Sequence, residues 1–331
     1  METVNQKPNA LSKKLLPGLF LGFVVILAIL LLGDIRQVGE VVLSFRWVYF
    51  PLILLLTLFN YTLRFVKWHF YLRQIGVTQI PWRESLKLFV GGFPLAVTPG
   101  KVGEVLKAVW VNQRSGLPVP KGVSVVVAER ISDGLAVLML STLGVIAYPQ
   151  YWPGFLMVLL LLVGLVTISQ IRPLALFLLN LGDRIPLVNR WMHLLREFYE
   201  GSFSLFRPGT TLVSVGMGMV SWLGEGIGFY FILVGLGLTP GAHLLGIAVF
   251  VLAFSIVIGA ASTLPGGLGA AEASIAGMLA LTLSPGAAVA SAATLLVRLA
   301  TLWFSVLLGL LVWLFNPGLI GVKGEVKTYE S

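Results

Sequence analysis

Long runs of apolar residues, separated by short polar joints, follow one another along almost the whole chain. A helix needs about 20 mostly apolar residues to cross a bilayer. Six runs meet this condition, and each predicts one full span; they cover residues 15–33, 47–71, 121–148, 151–170, 210–236 and 286–315. The pattern predicts an all-α, polytopic integral membrane protein that forms a single transmembrane domain over residues 1–331.

Two further hydrophobic regions, 84–113 and 243–282, are each interrupted by a proline and glycines. The first is interrupted at Thr98-Pro99-Gly100 and the second at Leu264-Pro265-Gly266-Gly267. Because proline removes a backbone donor and glycine weakens a helix, each region is expected to form two helical arms around a break. The arms of the first region are too short for two crossings, which predicts a re-entrant hairpin. The longer arms of the second fit either a hairpin or two full spans.

The same order of features occurs twice along the chain. Each broken region follows a span with an embedded charge, and each carries a glutamate soon after its Pro-Gly pair. An arginine stands 26 positions after each glutamate, inside the next span; the pairs are Glu104 with Arg130 and Glu272 with Arg298. The predicted crossings make the second unit enter the membrane from the opposite side. The order therefore predicts an inverted repeat with units 47–148 and 210–315, a design that recurs in transporters.

Composition and charge agree with a membrane protein. The chain is 57% hydrophobic and 11% charged, whereas soluble domains carry about 25% charged residues. Its net charge of +9 is better explained by cytoplasmic lysine and arginine than by nucleic acid, because only Arg36 and Arg46 fall in the predicted outer loops. This predicts a multi-pass protein of the cell (inner) membrane with both termini in the cytoplasm. No nucleic acid partner is expected.

Residues 187–206 have a different pattern, in which apolar residues recur at helical spacing between charged ones. Trp191, Leu195 and Phe198 belong to the apolar set, and Arg196 and Glu200 to the charged set. The segment is expected to be an amphipathic helix in the cytoplasmic interface. An ordinary connector packed on the protein explains the same pattern equally well.

Charged residues inside the predicted spans are the best candidates for function, because each costs about 2.5–3.5 kcal/mol at the centre of a span. Arg298 and Glu225 lie near the middle of their spans. Glu129 and Asp133 share one helix face, and Arg130 is within reach of Asp133. Arg64 and Lys67 stand near the cytoplasmic end of theirs, and Lys67 is expected to extend to the interface.

The two hairpin tips are predicted anion sites. A helix that begins in mid-membrane presents unpaired N–H groups and the positive end of its dipole, and Lys101 adds a full charge. Pairing of Glu104 with Arg130 in a purely packing role is an equal alternative. Together these arguments nominate, as substrate-binding residues, Pro99, Gly100, Lys101, Glu104, Arg130, Glu225, Pro265, Gly266, Gly267, Glu272 and Arg298, with Arg64, Glu129 and Asp133 in support. The sequence shows no catalytic, cofactor or metal-site pattern, and no cofactor is predicted.

These motifs, taken in order, resemble the membrane domain of the lysylphosphatidylglycerol synthase/flippase family over nearly the whole chain. They are Thr98-Pro-Gly-Lys-Val-Gly-Glu104, Glu129-Arg-Ile-Ser-Asp133, Leu264-Pro-Gly-Gly-Leu-Gly-Ala-Ala-Glu272, and Arg298 before Trp303. The resemblance implies a part in moving lipid between leaflets. In the aminoacyl-lipid members a cytoplasmic synthase domain makes the lipid. Since the chain ends at Ser331, soon after its last predicted span, the stand-alone type without that domain is expected.

The favoured function is a lipid translocase, a flippase or scramblase for an anionic or phosphate-bearing lipid. The expected partners are membrane lipids of the anionic or polyprenyl-phosphate type, and a homo-oligomer is compatible with the sequence. With no nucleotide-binding motif, transport would be downhill or coupled to an ion gradient, with Glu225 as a candidate proton carrier. Two alternatives stay open: an enzyme acting on lipid-linked sugars or lipid head groups through Glu129 and Asp133, and a non-catalytic membrane scaffold.

Overall fold

A computed structural model of the chain describes residues 10–32, 34–98, 103–147, 152–183 and 186–319. These residues form helices and connecting turns, with no strand among them. The helices are α1 (Ala10–Leu32), α2 (Ile35–Ser44), α3 (Phe50–Gln74), α4 (Trp82–Gly91), α5 (Val105–Ser115), α6 (Val119–Ala147), α7 (Trp152–Gln170), α8 (Arg172–Asp183), α9 (Pro186–Leu205), α10 (Pro208–Gly235), α11 (Ala242–Ala261), α12 (Ala270–Thr282) and α13 (Ala287–Phe315). Three nominated residues, Pro99, Gly100 and Lys101, lie outside the described residues.

The predicted polytopic, all-helical membrane fold is confirmed. Within the described residues, five helices are long and apolar enough to cross a membrane, namely α3 with its preceding turn, α7, α10, α11 and α13. Four of them coincide with predicted spans, and the fifth, α11, is the first arm of the second broken region. The other two predicted spans are covered by α1 and α6, of 23 and 29 residues. The apolar α7 buries none of its residues against the protein, as suits a helix that faces lipid.

The first broken region closes into a short hairpin. Its arms α4 and α5 have 10 and 11 residues. At 1.5 Å per residue each arm is about half as long as the ~30 Å hydrocarbon core is thick. The two ends of the hairpin lie side by side, because Gln79 Nε2 donates to the carbonyl of Ser115 at 2.8 Å and Arg114 Nε pairs with Glu84 Oε1 at 2.5 Å. This is the geometry of a re-entrant hairpin.

The second broken region turns at Gly266 and Gly267. Both glycines have left-handed backbone angles, with φ of 62° and 67°. A Cβ on Gly267 would also lie 3.0 Å from the Cα of Gly259, so the chain can turn this tightly only with glycine. The arm that follows, α12, has 13 residues and is too short to cross the bilayer by itself, whereas the 20-residue α11 is long enough.

The turn Phe93–Val97, which leads to the first break, meets the turn Pro265–Gly267 of the second region next to α1. A Cβ on Gly266 would lie 3.4 Å from Cγ1 of Val97, the last residue of the first turn. Helix α1 packs on both turns, and a Cβ on its Gly18 would overlap the carbonyl oxygen of Val97. Meanwhile α10 packs against α3, α6 and α11. The broken regions are therefore brought together in the middle of the molecule.

The predicted amphipathic segment 187–206 is a helix, α9, that packs on α6 and α8. Met192 and Tyr199 are buried, whereas Trp191 and Leu195 are exposed. Arg196 forms an ion pair with Asp183 at the end of α8. One face of α9 therefore fits the connector interpretation, and the exposed apolar residues fit the interfacial one. Its location at the cytoplasmic surface stays a prediction.

Candidate functional site

A cavity of about 260 Å³ lies between the two broken regions and the long helices around them. It is unusual for a membrane interior because charged side chains from both predicted units line it. They are Arg64, Lys107, Arg130 and Arg298 among the cations, and Glu104, Glu129, Asp133 and Glu225 among the carboxylates. Gly266 and Gly267 of the second tip also reach this cavity, as do Tyr61, Phe93 and Trp222. Most of the nominated residues thus meet at one site.

Two buried lysines neutralise the carboxylates of α6. Lys67 on α3 binds Asp133, and Lys107 Nζ on α5 donates to Glu129 Oε2 at 3.0 Å. The expectation that Lys67 extends to the membrane surface is wrong, because its side chain is buried and bound to Asp133. A cation can stay at this depth when a carboxylate compensates for its lost hydration.

Lys107 was not among the nominated residues. Its Nζ also lies 4.6 Å from the centre of the Trp68 ring, which adds a cation–π contact. One signal in the sequence could have found it: Lys107 follows Glu104 by three positions, so the two side chains share a helix face. The sequence gives no comparable indication of its partner Glu129, which stands on another helix.

Arg64 and Arg130 are held less tightly than the lysines. Arg64 Nε lies 3.5 Å from Asp133 Oδ2, and its Nη2 lies 3.6 Å from Glu129 Oε1. Arg130 lies 3.4 Å from both Glu104 Oε2 and Glu129 Oε1. The Nε atoms of both arginines are buried without a hydrogen-bond partner in the described part of the chain. Among these described residues, both guanidinium groups are therefore held by long ion-pair contacts, which these Nε atoms make with Asp133 and Glu104, and not by hydrogen bonds.

The pairing of Glu104 with Arg130, expected as the packing alternative, is present, whereas among the described residues Arg130 forms no ion pair with Asp133, although the spacing puts the two within reach. Residues three apart on a helix can meet, yet Asp133 is already bound by Lys67 and Arg64 from α3. Arg130 instead faces the first hairpin. It therefore connects α6 to the start of α5, next to Glu104.

Arg298 is fixed to the second hairpin by two bonds. Its Nε lies 2.5 Å from Glu272 Oε1, and its Nη2 donates to the carbonyl of Gly266 at 2.9 Å. The other carboxylate oxygen of Glu272 accepts a hydrogen bond of 2.7 Å from the backbone N–H of Gly269, which caps α12. The glutamate and the arginine that stand 26 positions apart in the second unit are thus in direct contact. Glu272 and Pro265 do not line the central cavity.

A turn of π-helix follows Arg298 directly, over Leu299–Trp303. Such turns leave carbonyl groups without their usual partners and often occur at functional sites. Here the hydroxyl of Tyr61 donates to the carbonyl of Thr301 at 2.6 Å. This contact ties α3 of the first unit to α13 of the second at the wall of the cavity.

Glu225 on α10 is buried at the cavity without a close cation. Among the described residues, no lysine or arginine nitrogen lies within 4.0 Å of its carboxylate. The charged groups that act on it from further away are Arg64, Arg298 and Asp133. A buried carboxylate in this position is costly unless a cation or a proton joins it.

Two apolar cavities open beside α1, on the far side of the contact between Arg298 and Glu272. One, of about 550 Å³, lies between α1, α12 and α13 and is lined mostly by alanine, glycine, valine and isoleucine. The other, of about 220 Å³, is lined by Leu268, Trp303 and both members of the pair. Arg298 therefore borders the charged central cavity and an apolar lateral one.

Comparison with known proteins identifies a family over most of the chain. The family model described as the lysylphosphatidylglycerol synthase TM region matches residues 19–309. A UPF0104 membrane protein of Methanothermobacter thermautotrophicus is 26% identical over an alignment that covers 93% of this chain and 95% of the relative. No solved structure matches the chain. The whole central cavity lies inside the range that the family model matches.

Proposed function

This chain belongs to the family of the lysylphosphatidylglycerol synthase TM region, and from that membership we propose that it moves lipid between the leaflets of its membrane. The proposed substrate is an anionic or phosphate-bearing lipid, and the proposed activity is that of a flippase or scramblase. The proposed site is the central cavity with the two hairpin tips. Family membership alone is a weak argument for a substrate, so the proposal depends on the chemistry of the cavity.

One observation carries the proposal: a cavity lined by charged residues lies next to apolar cavities, and Arg298 borders both kinds. A phospholipid has the same two parts, a charged head group and apolar chains. The 550 Å³ lateral cavity falls within the range of about 300–1,000 Å³ that ligand sites occupy. The head group would enter the central cavity while the chains stay among apolar side chains beside α1.

The cations of the first unit support recognition of phosphate. Arginine binds phosphate through two parallel N–H donors, and within the described part of the chain Arg64 and Arg130 are held by ion-pair contacts of 3.4–3.6 Å and not by hydrogen bonds. Lys101, which lies outside the described residues, would add donors at the first tip together with the N–H groups at the start of α5, and this stays a prediction. Since no nucleotide-binding motif occurs in the sequence, transport is proposed to be downhill or coupled to an ion gradient.

The enzyme alternative needs Glu129 and Asp133 as acid and base. Each of them is bound by a lysine, Glu129 by Lys107 and Asp133 by Lys67. A carboxylate held in this way is a poor proton donor, so the cavity favours binding over acid–base chemistry. Lipid movement by the purified protein in liposomes distinguishes transport from the scaffold alternative.

The proposal is tested with the purified protein as the only protein in liposomes. The vesicles contain phosphatidylglycerol with a fluorescent head-group-proximal label, and quenching of the outer leaflet reports movement from the inner one. Wild-type protein is expected to accelerate movement, and Arg64→Gln and Arg130→Gln are each expected to slow it by about tenfold or more, since a charge-assisted bond contributes about 1.5–3 kcal/mol.

Arg172→Gln serves as the matched control, because it removes an arginine whose partner Glu200 is exposed and distant from the cavity. It is expected to leave movement unchanged. If well-folded wild-type protein moves lipid no faster than protein-free vesicles do, the translocase proposal is wrong. A chemically altered lipid after incubation in detergent would favour the enzyme instead.

A further inference from the structure

Among the residues that the structure describes, the charges around the central cavity balance, and two of them have no close partner of their own. Asp133 is bound to Lys67, Glu129 to Lys107 and Glu272 to Arg298, while Glu104 pairs with Arg130. Once these pairs are formed, Arg64 is left as the surplus cation and Glu225 as the surplus carboxylate. Arg64 makes only the long contacts of 3.5 and 3.6 Å to carboxylates that a lysine already neutralises.

The two surplus groups face the same cavity from neighbouring helices. The Arg64 guanidinium lies 5.4 Å from the centre of the Trp222 ring on α10. Glu225 follows Trp222 by three positions, so both project from one face of that helix. Within the described residues, Arg64 and Glu225 are not within ion-pair distance of each other. They therefore border a gap that a ligand can occupy.

From this charge balance we infer that the gap binds one anionic phosphate group together with one proton, with the phosphate on Arg64 and the proton on Glu225. The inference rests on the proposed function and specifies how lipid binding at the same site is coupled to proton binding. Because the described charges of this buried cavity balance, an anion that enters adds one uncompensated negative charge to them, which is costly in a medium of low dielectric constant. A proton taken up at Glu225 restores neutrality.

The surroundings of Glu225 explain why this carboxylate takes the proton. It is faced by Tyr61 and Arg64 from α3, by Asp133 from α6 and by Arg298 from α13, while α11 contributes no charged side chain to the cavity. Protonation of Asp133, Glu129 or Glu272 would leave a buried lysine or arginine without its partner. Protonation of Glu225 breaks no ion pair.

The inference has a direct thermodynamic consequence. Because one proton is bound with each lipid, the affinity for the lipid should fall as the pH rises, with a limiting slope of about tenfold per pH unit. In the membrane, the same linkage would let a proton gradient drive the lipid in the direction in which protons flow. Substituting Glu225 with glutamine should remove both effects, because the amide is neutral at every pH.

Proton uptake on binding can be measured by calorimetry. Short-chain dihexanoyl phosphatidylglycerol is titrated into the detergent-solubilised full chain, in buffers of different ionisation enthalpy, between about pH 6 and pH 9. This probe is suitable because its phosphodiester does not titrate in that range. For wild-type protein, the slope of the measured binding enthalpy against the ionisation enthalpy of the buffer should correspond to about one proton taken up per lipid.

Four variants make the result specific. Glu225→Gln should bind the lipid without proton uptake and with affinity independent of pH. Arg64→Gln should lose about tenfold or more in affinity, and Arg64→Lys, which keeps the charge but not the two-donor geometry, should lose less. Glu84→Gln removes a carboxylate outside the cavity and should behave as wild type. Thermal unfolding checks that each variant is folded; if Arg64→Gln is not, Arg64→Lys carries the test.

The outcomes separate the coupling from the proposed function. Wild-type binding without proton uptake, or unchanged uptake in Glu225→Gln, would overturn the coupling and leave lipid translocation standing. Absence of binding by folded wild-type protein, together with no lipid movement in vesicles, would overturn both.

Discussion

At the scale of single residues, Lys67 illustrates how the interior of this protein holds charge. Near the end of an apolar helix, a lysine ordinarily extends its long side chain to water. Lys67 is instead fully buried, since Asp133 on α6 lies directly opposite. Replacing a buried pair by apolar residues is often harmless, whereas removing one partner leaves a charge uncompensated. Substitution of single members should therefore be far more damaging here than at the surface.

Lys67→Met is predicted to lower the free energy of unfolding by about 1.5–3 kcal/mol, because Asp133 loses its closest buried partner and keeps only the longer contact of 3.5 Å with Arg64. Arg172→Gln, which breaks the exposed pair with Glu200, should cost no more than about 1 kcal/mol. Both are measured by denaturant titration in the same detergent. Equal losses in the two variants would show that burial of the pair does not determine its contribution.

Arg298 allows a test that separates binding from packing. Arg298→Ala leaves Glu272 buried and alone, so stability should fall by roughly 3–5 kcal/mol, and the double change with Glu272→Ala should recover much of that loss. If Arg298 only packs, the double variant regains lipid movement along with stability. If it binds phosphate, the double variant folds and stays inactive. Full activity in a well-folded Arg298→Ala protein would rule out both roles.

At the scale of helices and hairpins, the two predicted repeat units have matching parts. Each contains a long helix, two arms around a Pro-Gly break, and a helix of 29 residues, α6 in the first unit and α13 in the second. Arg130 and Arg298 both stand at the twelfth position of that last helix, and each binds the glutamate of its own hairpin. Equal position and equal partner favour a common origin of the two units.

An inverted repeat predicts that units 47–148 and 210–315 superpose after a rotation of about 180° about an axis in the membrane plane. An experimental structure in lipid would measure that rotation. An axis along the membrane normal would instead mean that the units are parallel, and the inverted arrangement would be wrong.

The re-entrant hairpin makes a separate prediction about topology. Because its two ends are joined by the contacts of Gln79 with Ser115 and of Glu84 with Arg114, both should face one side of the membrane. Arg83→Cys and Arg114→Cys, introduced singly into this cysteine-free chain, should react with a membrane-impermeant thiol reagent from the same side, the cytoplasm. Labelling from opposite sides would mean that residues 84–113 cross the membrane once.

At the scale of the whole molecule, orientation depends on the distribution of lysine and arginine. Both termini, which lie outside the described residues, are predicted to be cytoplasmic. Ser331→Cys should therefore be labelled in inverted membrane vesicles and protected in intact cells. Labelling of this cysteine only from outside the cell would mean that the true topology is the reverse of the predicted one, and that each hairpin enters from the opposite side.

The helical architecture, the two broken regions and the family were predictable from the sequence because they depend on local patterns. A run of about 20 apolar residues commits a segment to the membrane, and a Pro-Gly pair interrupts a helix wherever it stands. The pairs of Glu104 with Arg130 and of Glu272 with Arg298 were also accessible, since equal spacing in two similar segments indicated them. The partners of each side chain on other helices could not be predicted in this way.

The sequence by itself determined that this chain is a membrane protein with charged residues in its interior, and which motifs carry them. Only the tertiary structure decided how those charges pair. Lys67 and Asp133 are 66 positions apart, and Lys107 and Glu129 are 22 apart on different helices. Ion-pair energy depends on distances of a few ångströms between side chains, which helix packing sets and no local pattern encodes. For that reason, Arg64 and Glu225 could be recognised as the two groups without close partners only after the helices were in place.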